Sequence, residues 1–246
     1  MYRAKKSYLY SAISTLIVML FTLVLLYFYK DIQLKAASCM PNSCFCEAIN
    51  KNSILKQFSN TLSSFSFVYI GFFIYFNEPN NLLFKFLGLF SVAIGFGSAF
   101  FHATLSFLGQ SFDIAGIYLL ATFVTLYAFY RYFKLSIGEV IILLIIVNII
   151  LDIGLILAPS LRRYIVALLL IIGIISEYIY IKKAKTKIDT KYIKLSIYLL
   201  LFAFFIWILD ITKTLCYPKS IFQGHALWHL LTSIAIYYLY KYYKLQ

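Results

Sequence analysis

Three histidines are the residues best suited to chemistry in this chain of 246 residues. His225 and His229 lie four positions apart in QGHALWH, so on a helix they share one face and both imidazoles can reach one ion. His102 lies in a separate apolar segment, SAFFHATLSFLGQSFD, with Ser98 one helical turn before it and Asp113 eleven positions after it. Three imidazoles that leave a fourth coordination position open are typical of a catalytic zinc site.

The composition indicates a polytopic membrane protein. Hydrophobic residues make up 63% of the chain and charged residues only 13%, against roughly half and a quarter in soluble domains. One core of this size cannot hide that much apolar side chain from water. The net charge of +13 would suggest nucleic acid in a soluble protein. Here Lys and Arg lie in short gaps between apolar segments, so we expect no nucleic-acid partner.

Eight segments are long and apolar enough to be membrane helices, which predicts an all-α polytopic membrane protein. They cover residues 8–29, 58–76, 82–105, 113–133, 139–157, 162–181, 192–212 and 222–243. The first segment follows a basic N terminus, as in a signal peptide, but its apolar stretch is longer than the usual signal-peptide core. We therefore favour a retained anchor helix, and cleavage before Cys39 is the alternative.

The basic residues predict the topology. With eight spans, cytoplasmic N and C termini place most of the 22 Lys and Arg residues on the cytoplasmic side, including those of KKAKTKIDTK at 182–191. Both ends of the chain are then cytoplasmic. The three histidines, together with Ser98 and Asp113, then lie at a similar depth near the extracytoplasmic surface.

The four cysteines also fall on the extracytoplasmic side in this topology. An even number of cysteines facing an oxidising compartment suggests two disulfides. Cys46–Cys216 is the best candidate, because it ties the segment before the second span to the end of the seventh, and Cys39–Cys44 is its companion. A cysteine-rich metal site is the alternative, although C-x₄-C-x-C lacks a standard zinc spacing.

The convergence of the site residues favours a metal site over incidental histidines. A single histidine near a membrane surface often only bonds a backbone carbonyl, and one H-x-x-x-H spacing is weak evidence. Ionisable residues within a membrane are costly and are commonly functional. Three histidines, one serine and one aspartate at one depth therefore predict a metal site.

Four segments together resemble the alkaline ceramidase family. Its S-x-x-x-H element with a later Asp is similar to SAFFHATLSFLGQSFD, and its last-helix element to QGHALWHLLTS. Its C-E and F-x-N-T-x-S pattern is similar to CFCEAINKNSILKQFSNTLSSFSF, and another helix end to WILDITKTLC. The resemblance covers residues 44–243 and implies the seven-helix bundle shared with adiponectin and progestin receptors. We expect an anchor helix and linker at 1–38 and the seven-helix ceramidase-like domain at 39–246.

The resemblance implies a zinc-dependent amide hydrolase that cleaves the N-acyl bond of ceramide or a related N-acyl lipid. By position, His102, His225 and His229 would bind Zn²⁺. Ser98 would stabilise the oxyanion or orient the attacking water, and Asp113 would carry a proton from that water to the leaving amine. The expected partner is a membrane lipid substrate, and no protein partner is indicated.

The chain departs from the family pattern where animal members bind calcium. Glu47 is present, but Cys44 and Gln57 stand where acidic residues are expected, and Ile114 follows Asp113 in place of a second carboxylate. A Ca²⁺ site needs oxygen ligands with more carboxylate charge than this. The sequence therefore argues against calcium.

Three other acidic residues lie within predicted spans, and their roles are open. Asp210 is either a supporting partner of a ligand histidine or a partner of Lys213. Glu177 either pairs with Lys182 or lines a cavity, and Asp152 faces the arginines after the next loop. Two other functions also remain open: a zinc-containing receptor-like or lipid-binding protein with little hydrolysis, and a structural or transport protein with incidental histidines.

Overall fold

The computed structural model describes residues 2–30, 32–40, 44–184 and 188–246, with side chains from residue 6 onward. The basic loop predicted at 182–191 therefore lies partly outside the described residues. The described chain is an all-α bundle, as predicted, and its helices follow the predicted spans closely. The helices are α1 (Tyr2–Tyr29), α2 (Phe58–Asn77), α3 (Leu82–Thr104), α4 (Phe107–Phe133), α5 (Ile137–Leu157), α6 (Arg162–Lys183), α7 (Lys191–Ile211) and α8 (Gly224–Lys244).

Six of these helices are long and apolar enough to cross a membrane: α1, α3, α4, α5, α6 and α7. The two others, α2 and α8, have lower hydropathy because they carry many polar side chains. In α2 these are Ser, Asn and Thr, and in α8 they include two histidines and several tyrosines. The two helices with the lowest hydropathy, α2 and α8, therefore direct many polar side chains into the bundle.

The start of α4 corrects one predicted boundary. The helix begins at Phe107, six residues before the predicted start at 113. Ser106 caps it, because the Ser106 hydroxyl accepts a hydrogen bond from the Gly109 amide at 3.1 Å. Asp113 therefore lies in the second turn of α4 and does not open it. The Ser106 cap therefore starts the helix before the apolar segment from which the boundary was predicted.

Two glycines bring α2 and α3 into backbone contact. A Cβ added to Gly88 would lie 2.6 Å from the Gly71 carbonyl oxygen, and one added to Gly71 would lie 2.5 Å from the Gly88 carbonyl oxygen. A side chain at either position would therefore separate the helices. Gly97 has the same function between α3 and α4, where its added Cβ would lie 2.8 Å from the Asp113 amide nitrogen. Helix α3 is thus held closely between α2 and α4.

The other helices surround this group unevenly. Helix α8 packs on α2 and α7, while α5 and α6 pack on α4. Over the described residues, α6 and α7 do not pack along each other. The helix α1 lies outside, against α2 and α3, through the buried Ser11, Thr22 and Leu26. The bundle therefore has a gap between α6 and α7.

Two disulfides hold the segment before α2: one closes a short loop within it, and the other ties it to the chain between α7 and α8, at the end of the bundle that holds the histidines. They are Cys39–Cys44 and Cys46–Cys216, which confirms both predicted pairs. Between α1 and the first disulfide, the chain runs across the α3–α4 connection, where the Ala37 amide donates to the Leu105 carbonyl at 3.0 Å. The segment is thus held at several points over one end of the bundle.

The glycine contact predicts a contrast between two Gly→Ala variants. Gly88→Ala places a methyl group against the α2 backbone, and we expect a loss of about 1–3 kcal/mol of stability. Gly154 in α5 has open space around its added Cβ, so Gly154→Ala should stabilise by about 0.5–1 kcal/mol through helix propensity. Thermal unfolding of both purified variants in one detergent checks this, and equal melting temperatures would contradict the packing.

Candidate metal centre

The three histidines meet inside the bundle. His102 comes from the last turns of α3, and His225 and His229 from the first turns of α8. All three side chains are buried, and one ring nitrogen of each lies within 4.8 Å of those of the others. The Nε2 atoms of His102 and His225 are 3.2 Å apart. The structure therefore brings together the three residues that the sequence singled out.

A fixed amide sets the tautomer of His102. The Gln57 side chain is fully buried, and its Nε2 donates to the Glu47 carbonyl at 3.1 Å. This places Gln57 Oε1 against His102 Nδ1 at 2.9 Å. An amide oxygen can only accept, so His102 Nδ1 carries the proton and its Nε2 lone pair is free to bind an ion.

A hydroxyl sets the tautomer of His229 in the same way. Ser63 Oγ donates to the Asn60 carbonyl at 3.0 Å and lies 2.8 Å from His229 Nδ1. The single hydroxyl proton is used on the carbonyl, so Ser63 accepts from His229 Nδ1–H. The Nε2 of His229 is therefore also free, and both supporting groups come from the start of α2.

The backbone around His225 is held by Asp210. One carboxylate oxygen accepts from the His225 amide and the other from the Cys46 amide, each at 3.0 Å. Asp210 thus supports a candidate ligand through its backbone and not through its ring. The ring of His225 is stacked on Phe45, with centroids 3.8 Å apart, and lies parallel to Trp228 at 5.4 Å. Two aromatic faces therefore restrict its rotation.

Glu47 organises the start of α2. Its two carboxylate oxygens accept from the Ser59 amide at 2.7 Å and the Asn60 amide at 2.9 Å. Burial raises the pKa of the Glu47 carboxyl, and the two backbone donors oppose that rise. This capping places Gln57 and Ser63 against the histidines, so Glu47 acts on the site through the helix that it begins.

Ser98 and Asp113 lie at the edge of the histidine cluster. Ser98 Oγ is 3.3 Å from His229 Nε2, and the Asp113 carboxyl lies close to the Ser98 side chain. The contact of Gly97 with the backbone of α4 brings Asp113 this close to α3. The serine and the aspartate predicted from the sequence therefore lie beside the cluster and close to each other.

A cavity of about 1160 Å³ extends from this cluster between α4, α6, α7 and α8. Asp113, His225 and Phe45 line one end, and most of the wall is aliphatic or aromatic. Trp228 and Thr232 also line the cavity, and each has a buried polar atom without a hydrogen-bond partner among the described residues. An apolar cavity with a few polar groups at one end is typical of a ligand-binding site.

Glu177 lines the opposite end of the cavity, which supports one of its two predicted roles. Its charge partner is Arg131 of α4, however, and not Lys182. Glu177 also accepts from the Tyr242 hydroxyl at 3.1 Å. Asp152 forms no ion pair with an arginine over the described chain, and its Oδ1 is buried without a hydrogen-bond partner, so its predicted position opposite the arginines of α6 stays a prediction.

The donor set fits a transition metal. Three buried imidazoles, two of them with Nδ1 already bonded, offer nitrogen ligands, and no carboxylate or thiolate of the described residues joins the ligand group. Imidazole ligands suit Zn, Cu, Fe and Ni. The groups at Nδ1 are the kind of outer partners that metal-ligating histidines use.

The family comparison agrees with this site. The family model described as Ceramidase matches residues 42–246. The chain belongs to the ceramidase family. The matched region holds the helices α2–α8 and the Cys46–Cys216 disulfide, so the resemblance seen in the sequence is confirmed. Membership in the ceramidase family supports a lipid amide hydrolase activity. Comparison with curated proteins gives no match.

Gln57 and Ser63 are site residues that the sequence interpretation missed as functional. In the sequence, Gln57 stands where the family pattern has an acidic residue, and Ser63 is the last residue of the F-x-N-T-x-S pattern. No spacing rule relates them to His102 or His229, which lie 45 and 166 residues away along the chain. Their roles follow from the crossing of α2, α3 and α8.

Removing the Gln57 amide should destabilise the protein. Gln57→Leu leaves the Glu47 carbonyl and His102 Nδ1–H without partners inside the bundle, at a cost of about 1–3 kcal/mol. The exposed Gln33→Leu is the matched control and should unfold at nearly the wild-type temperature. Thermal unfolding of the two variants in detergent measures the difference, and similar values would exclude the supporting role of Gln57.

Proposed function

We propose that the protein is a zinc-dependent lipid amide hydrolase of the membrane. It cleaves the N-acyl bond of ceramide or a related N-acyl lipid and releases a fatty acid and an amine. The observation that carries this proposal is the buried histidine cluster at one end of a large apolar cavity, with Asp113 in the cavity wall. Membership in the ceramidase family supports the same reaction class.

In this proposal His102, His225 and His229 hold the ion. When bound, zinc polarises the amide carbonyl and lowers the pKa of a coordinated water to about 7. Gln57 and Ser63 keep two of the ligand nitrogens unprotonated. Asp210, Phe45 and Trp228 hold the third ring in place.

Asp113 and Ser98 are the side chains that would transfer a proton and stabilise the oxyanion. The Asp113 carboxylate faces the cavity next to Ser98, where it can take a proton from the attacking water and deliver it to the leaving amine nitrogen. The Ser98 hydroxyl lies at the edge of the cluster that faces the reacting carbonyl, so it can donate to the oxyanion. Asp113 thus protonates the leaving amine, and Ser98 stabilises the negative charge that develops on the carbonyl oxygen.

The cavity accommodates the acyl chain. Its wall between α6 and α7 is where these helices do not pack along each other, so a lipid can enter sideways from the bilayer. The aliphatic residues along α6 and α7 then contact the chain, among them Leu170, Ile174, Ile197 and Leu200. The scissile amide remains at the polar end of the cavity.

We place both termini on the cytoplasmic side and the site toward the extracytoplasmic side. The distribution of Lys and Arg supports this orientation. The disulfides support it independently, because Cys46 and His225 share the Asp210 carboxylate and so lie at one end of the bundle. Disulfides persist in oxidising compartments.

Replacing any one of the three histidines should remove the metal. The His102→Ala, His225→Ala and His229→Ala variants each lose one of three ligands, so the zinc content of purified protein should fall from about one per chain to near zero. Elemental mass spectrometry measures it, with Asn52→Ala in the exposed outer loop as the control. Stoichiometric zinc in the His225→Ala protein would contradict the assignment.

Asp113→Asn should abolish hydrolysis and keep the zinc, whereas Ser98→Ala should lower the rate by ~10²–10³. The amide of Asn keeps the shape of the side chain but cannot accept a proton. Fatty-acid release from an N-acyl sphingoid base, with zinc measured on the same samples, separates the two roles. Asp189→Asn, in an exposed loop, is the matched control. Near wild-type turnover in Asp113→Asn would exclude the shuttle, and zinc loss would make Asp113 either a ligand or a supporting partner of a ligand.

A further inference from the structure

The end of the cavity near the histidines is lined by cations. Arg162, Arg163 and Lys213 border it, and the acidic side chains in the lining are Asp113 and Glu177. Glu177 lies at the other end, in its ion pair with Arg131. Within this lining, the polar end of the cavity therefore holds two arginines and one carboxylate, and the proposed hydrolysis does not use the arginines.

Arg162 is the most unusual of these cations. It is only 8% exposed, and its one recorded hydrogen bond runs from a guanidinium nitrogen to the Pro159 carbonyl at 2.7 Å. Within the described chain it has no carboxylate partner. A guanidinium has five N–H donors, and a buried charge without a counter-ion is costly. Because Arg162 lines the cavity, the missing anion can come from a bound ligand.

Arg163 extends the same charge toward the histidines. Its guanidinium lies over the Trp207 ring, 5.5 Å from the centroid, and its charge is close enough to act on His225. Arg163 is exposed and stands in the first turn of α6, at the end of the bundle that holds the candidate metal centre. The two arginines therefore flank the polar mouth of the cavity beside the reacting position.

We propose that Arg162 and Arg163 bind an anionic group on the polar end of the substrate, so that the preferred substrate is an N-acyl lipid with a phosphate or carboxylate head. This inference rests on the proposed amide hydrolysis. With the acyl chain between α6 and α7 and the amide at the histidines, the amine side of the lipid points toward the arginines. Arginine suits both anions because its planar fork binds two oxygens at once.

A matched pair of lipids tests the head-group preference. N-palmitoyl sphinganine and its 1-phosphate share the acyl chain and the amide and differ only in the anion, and N-palmitoyl glycine carries a carboxylate. Zinc-loaded wild-type protein in a neutral detergent should cleave the anionic lipids with a kcat/KM at least about ten-fold higher than the neutral one. Arg162→Gln should lower the ratio of the anionic to the neutral kcat/KM from at least about ten to about one.

Two variants control for folding and for general charge. Arg162→Lys keeps the charge but loses the fork, so it should retain part of the preference. Lys219→Gln removes a charge from the exposed loop at the same end of the bundle, outside the cavity lining, and should behave as wild type. A melting temperature near the wild-type value in Arg162→Lys then shows that the position tolerates substitution.

Binding of an alkyl phosphate provides a readout that does not depend on turnover. Dodecyl phosphate, compared with dodecanol in the same detergent, should raise the melting temperature of the wild type and of Lys219→Gln by several degrees and leave that of Arg162→Gln unchanged. The same comparison on zinc-free protein shows whether the anion contact needs the metal, and an equal shift there supports the arginines as its source.

The outcomes separate this inference from the proposed function. Equal cleavage of neutral and anionic lipids, or an equal loss on both in Arg162→Gln, would overturn the head-group proposal and leave the hydrolase intact. A preference that appears only when anionic phospholipid is added would assign the arginines to the bilayer and also overturn it. If zinc-loaded protein cleaves none of the lipids, the hydrolase proposal fails, and the alkyl phosphate shift alone decides whether the anion site exists.

Discussion

The hydrogen bonds at the Nδ1 atoms of His102 and His229 are the interactions on which the candidate centre depends. An imidazole buried in an apolar bundle has no water to select its tautomer, so a fixed acceptor must do so. Gln57 and Ser63 provide these acceptors, and both are positioned by the start of α2. Glu47 in turn holds that helix start by its two backbone amides. One helix terminus thus orients ligands on two other helices.

The segment before α2 is therefore part of the site. The disulfide Cys46–Cys216 joins it to the chain after α7, and Asp210 binds the Cys46 amide and the His225 amide together. Phe45, between the two bridges in sequence, covers the His225 ring. A long-range disulfide constrains the unfolded chain, and here it also keeps Phe45 and Glu47 in register with α8. The same few contacts therefore contribute both to the stability of the fold and to the geometry of the site.

The cavity is possible because the bundle is packed unevenly. Glycines let α2, α3 and α4 approach to backbone contact on one side, whereas α6 and α7 stand apart on the other. Large aromatic and aliphatic side chains then line the opening instead of filling it. A buried ion pair at one end and unpaired arginines at the other make the cavity polar at both ends and apolar between them.

The sequence by itself determined the eight helices and the shared face of His225 and His229, and it predicted both cysteine pairs, of which Cys46–Cys216 joins residues 170 positions apart. The helices and the shared face depend on apolar length and on the helical period, which are local properties of the chain. The sequence also singled out His102, Ser98 and Asp113, the family resemblance gave them roles, and the structure brings them to one place.

Only the tertiary structure decided which side chains support the histidines and which charged side chains form ion pairs. The residues that support the histidines, Gln57, Ser63 and Asp210, come from other segments of the chain. Glu177 pairs with Arg131 and not with a lysine of its own helix. Arg162 lines the cavity. These contacts depend on how far each helix is rotated about its axis and how closely it approaches its neighbours. The glycine contacts set that distance for α3, and no periodicity in one helix specifies the rotation of another.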